Sequence, residues 1–300
     1  MEYIHYELKF FLWRYVMQRL LRGKIILVTL ALLFGLAQFV QAEEAFKLGI
    51  MQDKAGAAQQ YAPMVAFFAS KGIDIKLQGY RDYVDAAVKF EDGRVDAMVA
   101  GSGVAGSMII KGVAYPIVRP VSIDGTSTYW AVILAPKGSP EYTGDADYFT
   151  GKRIICSSLA SSGEFFARAI LGPKRELLMA GSHGIAIKAL AMKQADIAIV
   201  KNRVWDSEKE KYPSIVEVGH DDGENPNNTM IISNKTDNAL VEKVKAALLG
   251  LENDSSPEAQ KLKESLKITG YIPTTKDDFS HTLPLLEKAG VTKDFQFEYK

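Results

Sequence analysis

The stretch SSLASSGE, residues 157–164, passes from an apolar run (RIIC) through small hydroxyl residues into the helical pattern EFFARAIL. Ser161, Ser162 and Gly163 therefore fall at a helix N-terminus. Free backbone N–H groups, the positive end of the helix dipole and two hydroxyls converge there, an anion site that needs no formal positive charge. The same residues also make a plain helix cap, and both readings stand. His183 precedes a second helical pattern, GIAIKALAMKQ. Its imidazole donates a hydrogen bond when neutral and adds charge when protonated, or else simply caps the helix. Tyr83 lies at a strand–helix junction and Tyr129 at the entrance to a central strand. Each offers an apolar face with a hydroxyl, or a core ring. Gly101 and Ser102 follow the strand pattern VDAMVA, and Asn228 stands in NPNNTMII, where the bland role is a turn.

Other chemistry finds little support. G-x-S-x-G, H-E-x-x-H and a cysteine–histidine cluster with metal spacing are all absent from the sequence, and its many carboxylates are scattered, so an enzyme is not expected. Gly101 to Gly106 spells G-x-G-x-x-G after a strand, but Gly112 shortens the following helix, and Pro116 and Pro120 are expected to interrupt the next strand. Dinucleotide binding is set aside on those grounds. His220 and His281 lack such context and read as surface residues. Cys156, the single cysteine, lies in an apolar run and reads as a buried small hydrophobe; no intramolecular disulfide is possible.

The elements that must position these residues follow a distinctive beginning. Arg14, Arg19, Arg22 and Lys24 precede the apolar run Ile25 to Val40, and Val40-Gln41-Ala42 offers small residues for a peptidase. This is the pattern of a secretory signal peptide, with cleavage expected after Ala42 and an uncleaved anchor as the alternative. The run is shorter than the roughly 20 residues of a spanning helix. The segment before it is long and aromatic, and Met17 is an alternative start. A periplasmic location, with no lipid anchor, is expected.

Thirty-six basic residues balance 36 acidic ones, without a basic block, so nucleic acid is not an expected partner. The 258 or so residues after Ala42 are enough for two domains. FKLGIM, AAQQYAPMVAFFASKG, IDIKLQGY, YVDAAVKFEDGR and VDAMVAG alternate strand and helix, with Gly72 and Gly93 ending the helices. A second alternating series runs from KRIICSS to TMIISN. The fold class expected is α/β: two lobes, each a mainly parallel sheet flanked by helices, with a ligand cleft between them. The expected division is a leader at 1–42, a first lobe at 43–132, a second at 133–233, and a helical return to the first at 234–300, with crossings near Ile133 and Ser233.

From Phe46 to about Phe295 the chain resembles the periplasmic phosphate/phosphite/phosphonate-binding proteins of ABC transporters. The resemblance is carried in order by DYVDAAVKFEDGRVDAMVAGSG, DGTSTYWAVILAPKGSP, GKRIICSSLASSGEFFARAIL, SHGIAIKALAMKQADIAIVKNRVWD and ITGYIPTTKDDFSHTLPLLEKAG. It implies a type II periplasmic binding-protein fold and capture of a small oxyanion, phosphonate-like first, for an ABC permease. It also implies ligand contact by Tyr83, Gly101, Ser102, Tyr129, Ser161, Ser162, Gly163 and His183, and a position for Asn228 where some relatives carry an aspartate that recognises an amine. Neither a cofactor nor a metal is implied, and a monomer is expected. Alternatives are a sensory module for a membrane signalling protein, and a receptor for a sulfonate, nitrate or thiamine precursor. Two departures bear on the ligand. Ala160 lacks the hydroxyl usual in relatives, and Glu164 is repulsive to a dianion unless it points away or pairs with a cationic group. Both weaken the case for inorganic phosphate.

Overall fold

Period-two alternation of apolar side chains builds two sheets, each buried on both faces. The computed structural model describes residues 45–51 and 56–297; the expected leader and its cleavage point lie outside the described residues. The first sheet runs in the order Ile268–Pro273 (β13), Ala114–Ser122 (β4), Thr229–Ser233 (β12), Ala97–Ala100 (β3), Phe46–Ile50 (β1) and Ile75–Gly79 (β2). The second runs Ile215–His220 (β10), Ala131–Pro136 (β6), Ile197–Lys201 (β9), Ile154–Cys156 (β7) and Leu178–Met179 (β8). A ribbon of Thr128–Tyr129 (β5) and Asn225–Pro226 (β11) pairs the two connections between the sheets.

The helices are Pro63–Ser70 (α1), Tyr83–Glu91 (α2), Ser102–Ile110 (α3), Ser162–Leu171 (α4), His183–Ala191 (α5), Asn202–Glu208 (α6), Asn238–Leu249 (α7), Pro257–Leu266 (α8) and Thr282–Lys288 (α9). Phe46, Leu48 and Ile50 join one core cluster of the first sheet, while Met98, Ala100 and Ile231 point to another. In the second sheet Ile133 and Ile199 face one cluster and Val132, Leu134 and Val200 the other. Cys156 is fully buried in the former, where desolvation pushes its thiol pKa far up, as befits a small hydrophobe.

Several details differ from the sequence reading. The parallel pairs are β1 with β2 and β3, and β7 with β8 and β9; strands delivered by the connections run antiparallel, so both sheets are mixed. The chain changes sheet at 123–130 and again at 221–228, not near Ile133, which lies within β6, or at Ser233, which ends β12. The connections are themselves short strands, so no break in pattern marks them. The C-terminal part is not wholly helical, because ITGYIP forms β13 on the edge beside β4. Pro116 and Pro120 do not interrupt β4; both sit beside register shifts, where a missing ladder N–H is tolerated.

The glycines of the G-x-G-x-x-G run owe their place to packing. A Cβ on Gly103 would lie 2.7 Å from the Ala160 carbonyl oxygen, and one on Gly106 2.5 Å from Leu286 Cδ1. Gly103 thus brings α3 of the first lobe against the loop before α4 of the second. Helix α9 packs on both α3 and α4.

Candidate functional site

A parallel strand that hands directly to a helix leaves that helix's first residues at the strand's carboxyl end, where clefts form. Four such handovers meet at one cavity of about 160 Å³. Tyr83 is the first residue of α2, Gly101 the N-cap of α3, Ser162 the first residue of α4 and His183 the first residue of α5. All four line the cavity, together with Tyr129, Lys201 and Asn228. Side-chain caps set three of these starts: Asp82 Oδ1 accepts from Asp85 N–H at 2.8 Å, Ser161 Oγ from Glu164 N–H at 3.3 Å, and Ser182 Oγ from Ile185 N–H at 3.2 Å, whereas Gly101 offers α3 no side-chain cap.

Tyr129 is the keystone between lobes. It is buried in β5, and its hydroxyl lies 2.6 Å from Ser102 Oγ, at the start of α3. The Ser162 side chain at the start of α4 lies near the same hydroxyl. Burial raises its pKa, so the phenol stays protonated.

His183 is likewise buried. Lys201 N–H donates to its Nδ1 at 3.3 Å, which places the ring proton on Nε2. Burial first, then the positive charge of Lys201, push the imidazole pKa down to about 3. His183 is therefore a neutral hydrogen-bond donor, not a cation.

Glu164 does not face the cavity as a repelling charge. It is fully buried, accepts the Ala160 N–H, and bonds Arg168 Nε at 2.9 Å through Oε1. Burial raises its pKa while Arg168 opposes the rise. Arg168 in turn donates to the Pro173 and Arg175 carbonyls. The pair holds Ala160 in the left-handed region, at φ 63°, where a hydroxyl is replaced by a methyl that lines the cavity. Glu164 thus sets no carboxylate against an anion in the cavity.

The remaining expected residues divide. Ser102 is buried beneath the lining and bonds Tyr129; Ser161 is buried and caps α4; and Gly163 packs on β9, where an added Cβ would lie 2.7 Å from the Ile199 carbonyl oxygen. Asn228 both turns the chain, at φ 45°, and lines the cavity. His281, read as a surface residue, instead has Nε2 2.9 Å from Oδ1 of buried Asp221. His220 is exposed.

Sequence reasoning missed Met51, Gln60, Tyr61 and Gly103 as lining, and above all Lys201, while Ala160, noted as a departure beside the ligand, does line the cavity. A signal for Lys201 existed: ADIAIVK ends a strand and NRVW opens a helix, the same kind of handover at which His183 lies. Lysine Nζ donates to Asn227 Oδ1 and stands 4.0 Å from the centroid of the Tyr129 ring.

The family model described as "ABC transporter, phosphonate, periplasmic substrate-binding protein" matches residues 50–279. No curated protein matches the chain. Among solved structures, XAC2383 from Xanthomonas citri bound to chloride ion superposes with a TM-score of 0.70 at 17% identity, covering 82% of this chain and 97% of that one. PhnD1 from Prochlorococcus marinus in complex with methylphosphonate gives 0.66 at 12% identity, covering 82% and 98%. A binding protein component of an ABC phosphonate transporter from Pseudomonas aeruginosa gives 0.62 at 15%, covering 82% and 86%. At such identities the likeness is one of fold, the two-lobe type II binding-protein architecture.

Proposed function

The chain belongs to the phosphonate-binding periplasmic substrate-binding proteins of ABC transporters, and from that premise we propose that its cavity captures a small phosphorus oxyanion, phosphonate-like first, for delivery to an inner-membrane permease. The observation that carries this reading is the convergence of four helix starts on one small cavity lined by Tyr83, Gly101, Ser162 and His183. Each start presents backbone N–H groups and the positive end of a dipole, which together suit an oxyanion.

In this reading the Ser162 hydroxyl and the N–H groups opening α3 and α4 hold the oxygens. His183 donates through Nε2, and the rings of Tyr83 and Tyr129 flank the organic part. Ser102 and Ser161 act from beneath, by fixing Tyr129 and the start of α4. The two lobes close on the ligand about the ribbon of β5 and β11, and no turnover accompanies binding. The protein works as a monomer after removal of its leader at Ala42. Among the described residues no helix is long and apolar enough to cross a membrane.

A thermal-shift panel of phosphate, phosphite, methylphosphonate, a sulfonate and nitrate tests the proposal, since a ligand that binds only the folded state raises the melting temperature. The expected result is a rise with a phosphorus oxyanion that Ser162→Ala reduces. A rise with the sulfonate or nitrate alone would overturn the ligand class.

A further inference from the structure

A third segment fastens the ribbon that joins the two sheets. The C-terminal return enters α9 at His281 and Thr282, and both side chains reach the second connection. His281 Nε2 lies 2.9 and 3.0 Å from the two carboxylate oxygens of Asp221. Thr282 Oγ1 donates to Asn225 Oδ1 at 2.8 Å, while Asn225 Nδ2 donates to Asp221 Oδ2 at 3.3 Å. Asp221, Asn225 and Thr282 are all buried. The backbone makes room for the imidazole, since a Cβ on Gly223 would lie 2.1 Å from His281 Nδ1. Asn225 is in turn the ladder partner of Tyr129, whose hydroxyl lies 2.6 Å from Ser102 Oγ at the start of α3. A continuous chain of contacts therefore runs from the C-terminal return, through the ribbon, to a helix start at the cavity.

Resting on the reading of this cavity as the ligand site, we propose that Asp221, Asn225, His281 and Thr282 are positioning residues for ligand capture: they hold Tyr129, and through its hydroxyl the start of α3, in the geometry that meets the ligand. None of the four is among the described residues that line the cavity. Their effect is therefore indirect. A side chain fixed before the ligand arrives loses little freedom on binding, which favours affinity. The bonds that fix Tyr129 are buried, and a buried donor or acceptor that loses its partner costs more than the bond itself contributes, so the ribbon has one preferred arrangement. Helix α9 also packs on both α3 and α4, so the same foot ties the ribbon to both lobes. The C-terminal return thus takes part in binding without contributing to the described cavity wall.

Titration calorimetry with phosphate, phosphite and methylphosphonate tests this, the tightest of the three serving as probe for the variants. We expect His281→Ala and Thr282→Val each to weaken binding by about three- to tenfold, within the range for coupled neighbours. His281→Gln, whose amide can still donate to Asp221, should restore part of the first loss. Tyr129→Phe cuts the last link to Ser102, so it should weaken binding by itself, and adding His281→Ala to it should cost less than about twofold more. Unchanged affinity in folded His281→Ala and Thr282→Val proteins overturns the inference while leaving the phosphonate reading intact. So do unchanged affinity in Tyr129→Phe and losses that multiply in the double variant, because the effect would then not run through the Tyr129 hydroxyl. Failure of the unsubstituted protein to bind any of the three overturns both. Should His281→Ala fail to fold, Gly223→Ala, which displaces the same ring, takes its place in the cycle and decides.

Discussion

Burial of His183 as a neutral ring has a consequence for stability that can be worked from its surroundings. In the unfolded chain the imidazole titrates near 6.5, whereas burial and Lys201 hold the folded value at about 3. Between those values the unfolded state binds the proton and the folded state does not, so stability falls as pH drops from about 6.5 toward 3 and is fully present above that window. At 1.36 kcal/mol per pH unit the whole window is worth on the order of 5 kcal/mol, and the drop to pH 5 about 2 kcal/mol. The perturbation is His183→Asn, whose side-chain oxygen can still accept the Lys201 N–H now bonded to Nδ1. Urea unfolding of both proteins at pH 7.5, 6.5, 5.5 and 5.0, conditions bracketing the upper half of the window, provides the assay. Other titrating groups contribute alike to both proteins, so the difference between the two stability curves isolates His183. The unsubstituted protein should lose about 2 kcal/mol more than the variant between pH 7.5 and 5.0. Parallel curves would refute the claim that this ring is held neutral.

Arg168→Met should destabilise the protein by about 3–5 kcal/mol, because it strands the fully buried Glu164 carboxylate; adding Glu164→Gln should recover much of that in urea melts, and no recovery would mean that the charge is not the cause. Gly103→Ala places a methyl 2.7 Å from the Ala160 carbonyl oxygen and 2.9 Å from Phe165 Cδ2. Overpacking of that kind costs about 1–3 kcal/mol, and here it should also weaken ligand binding, since Gly103 and Ala160 both line the cavity; unchanged melting and unchanged affinity together would show that the lobes do not meet so closely.

Much of the site was legible because it is local. A strand followed at once by a helix, as in QGY-RDY, VAG-S or CSSLASS-GE, is a pattern within a dozen residues, and the cap side chains of Asp82, Ser161 and Ser182 are part of it. The serines before α4 could be picked out on that basis; Tyr83, Gly101 and His183 lie at the same kind of junction but were marked by the resemblance to the family, and the meeting of all four starts at one cavity follows from the topology of parallel strands. Glu164 shows the limit. Its sequence position beside Ser162 suggests a charge near the ligand, yet its carboxylate turns back to Arg168 and the Ala160 N–H, a choice made by which partner lies within reach in the fold. Lys201 shows another: its neighbours Asn227 and Tyr129 are 26 and 72 positions away in the chain, and no spacing announces them.

By itself the sequence determined the alternation of strands and helices, the caps that begin the helices, and the absence of catalytic motifs, because each of these depends on contacts or patterns a few residues long. Tertiary structure alone decided where the chain changes sheet, how the prolines of β4 and the strand β13 join the first sheet, and which charges face the cavity. Those outcomes depend on pairings between distant segments, where burial and the choice of partner, not local propensity, set the free energy.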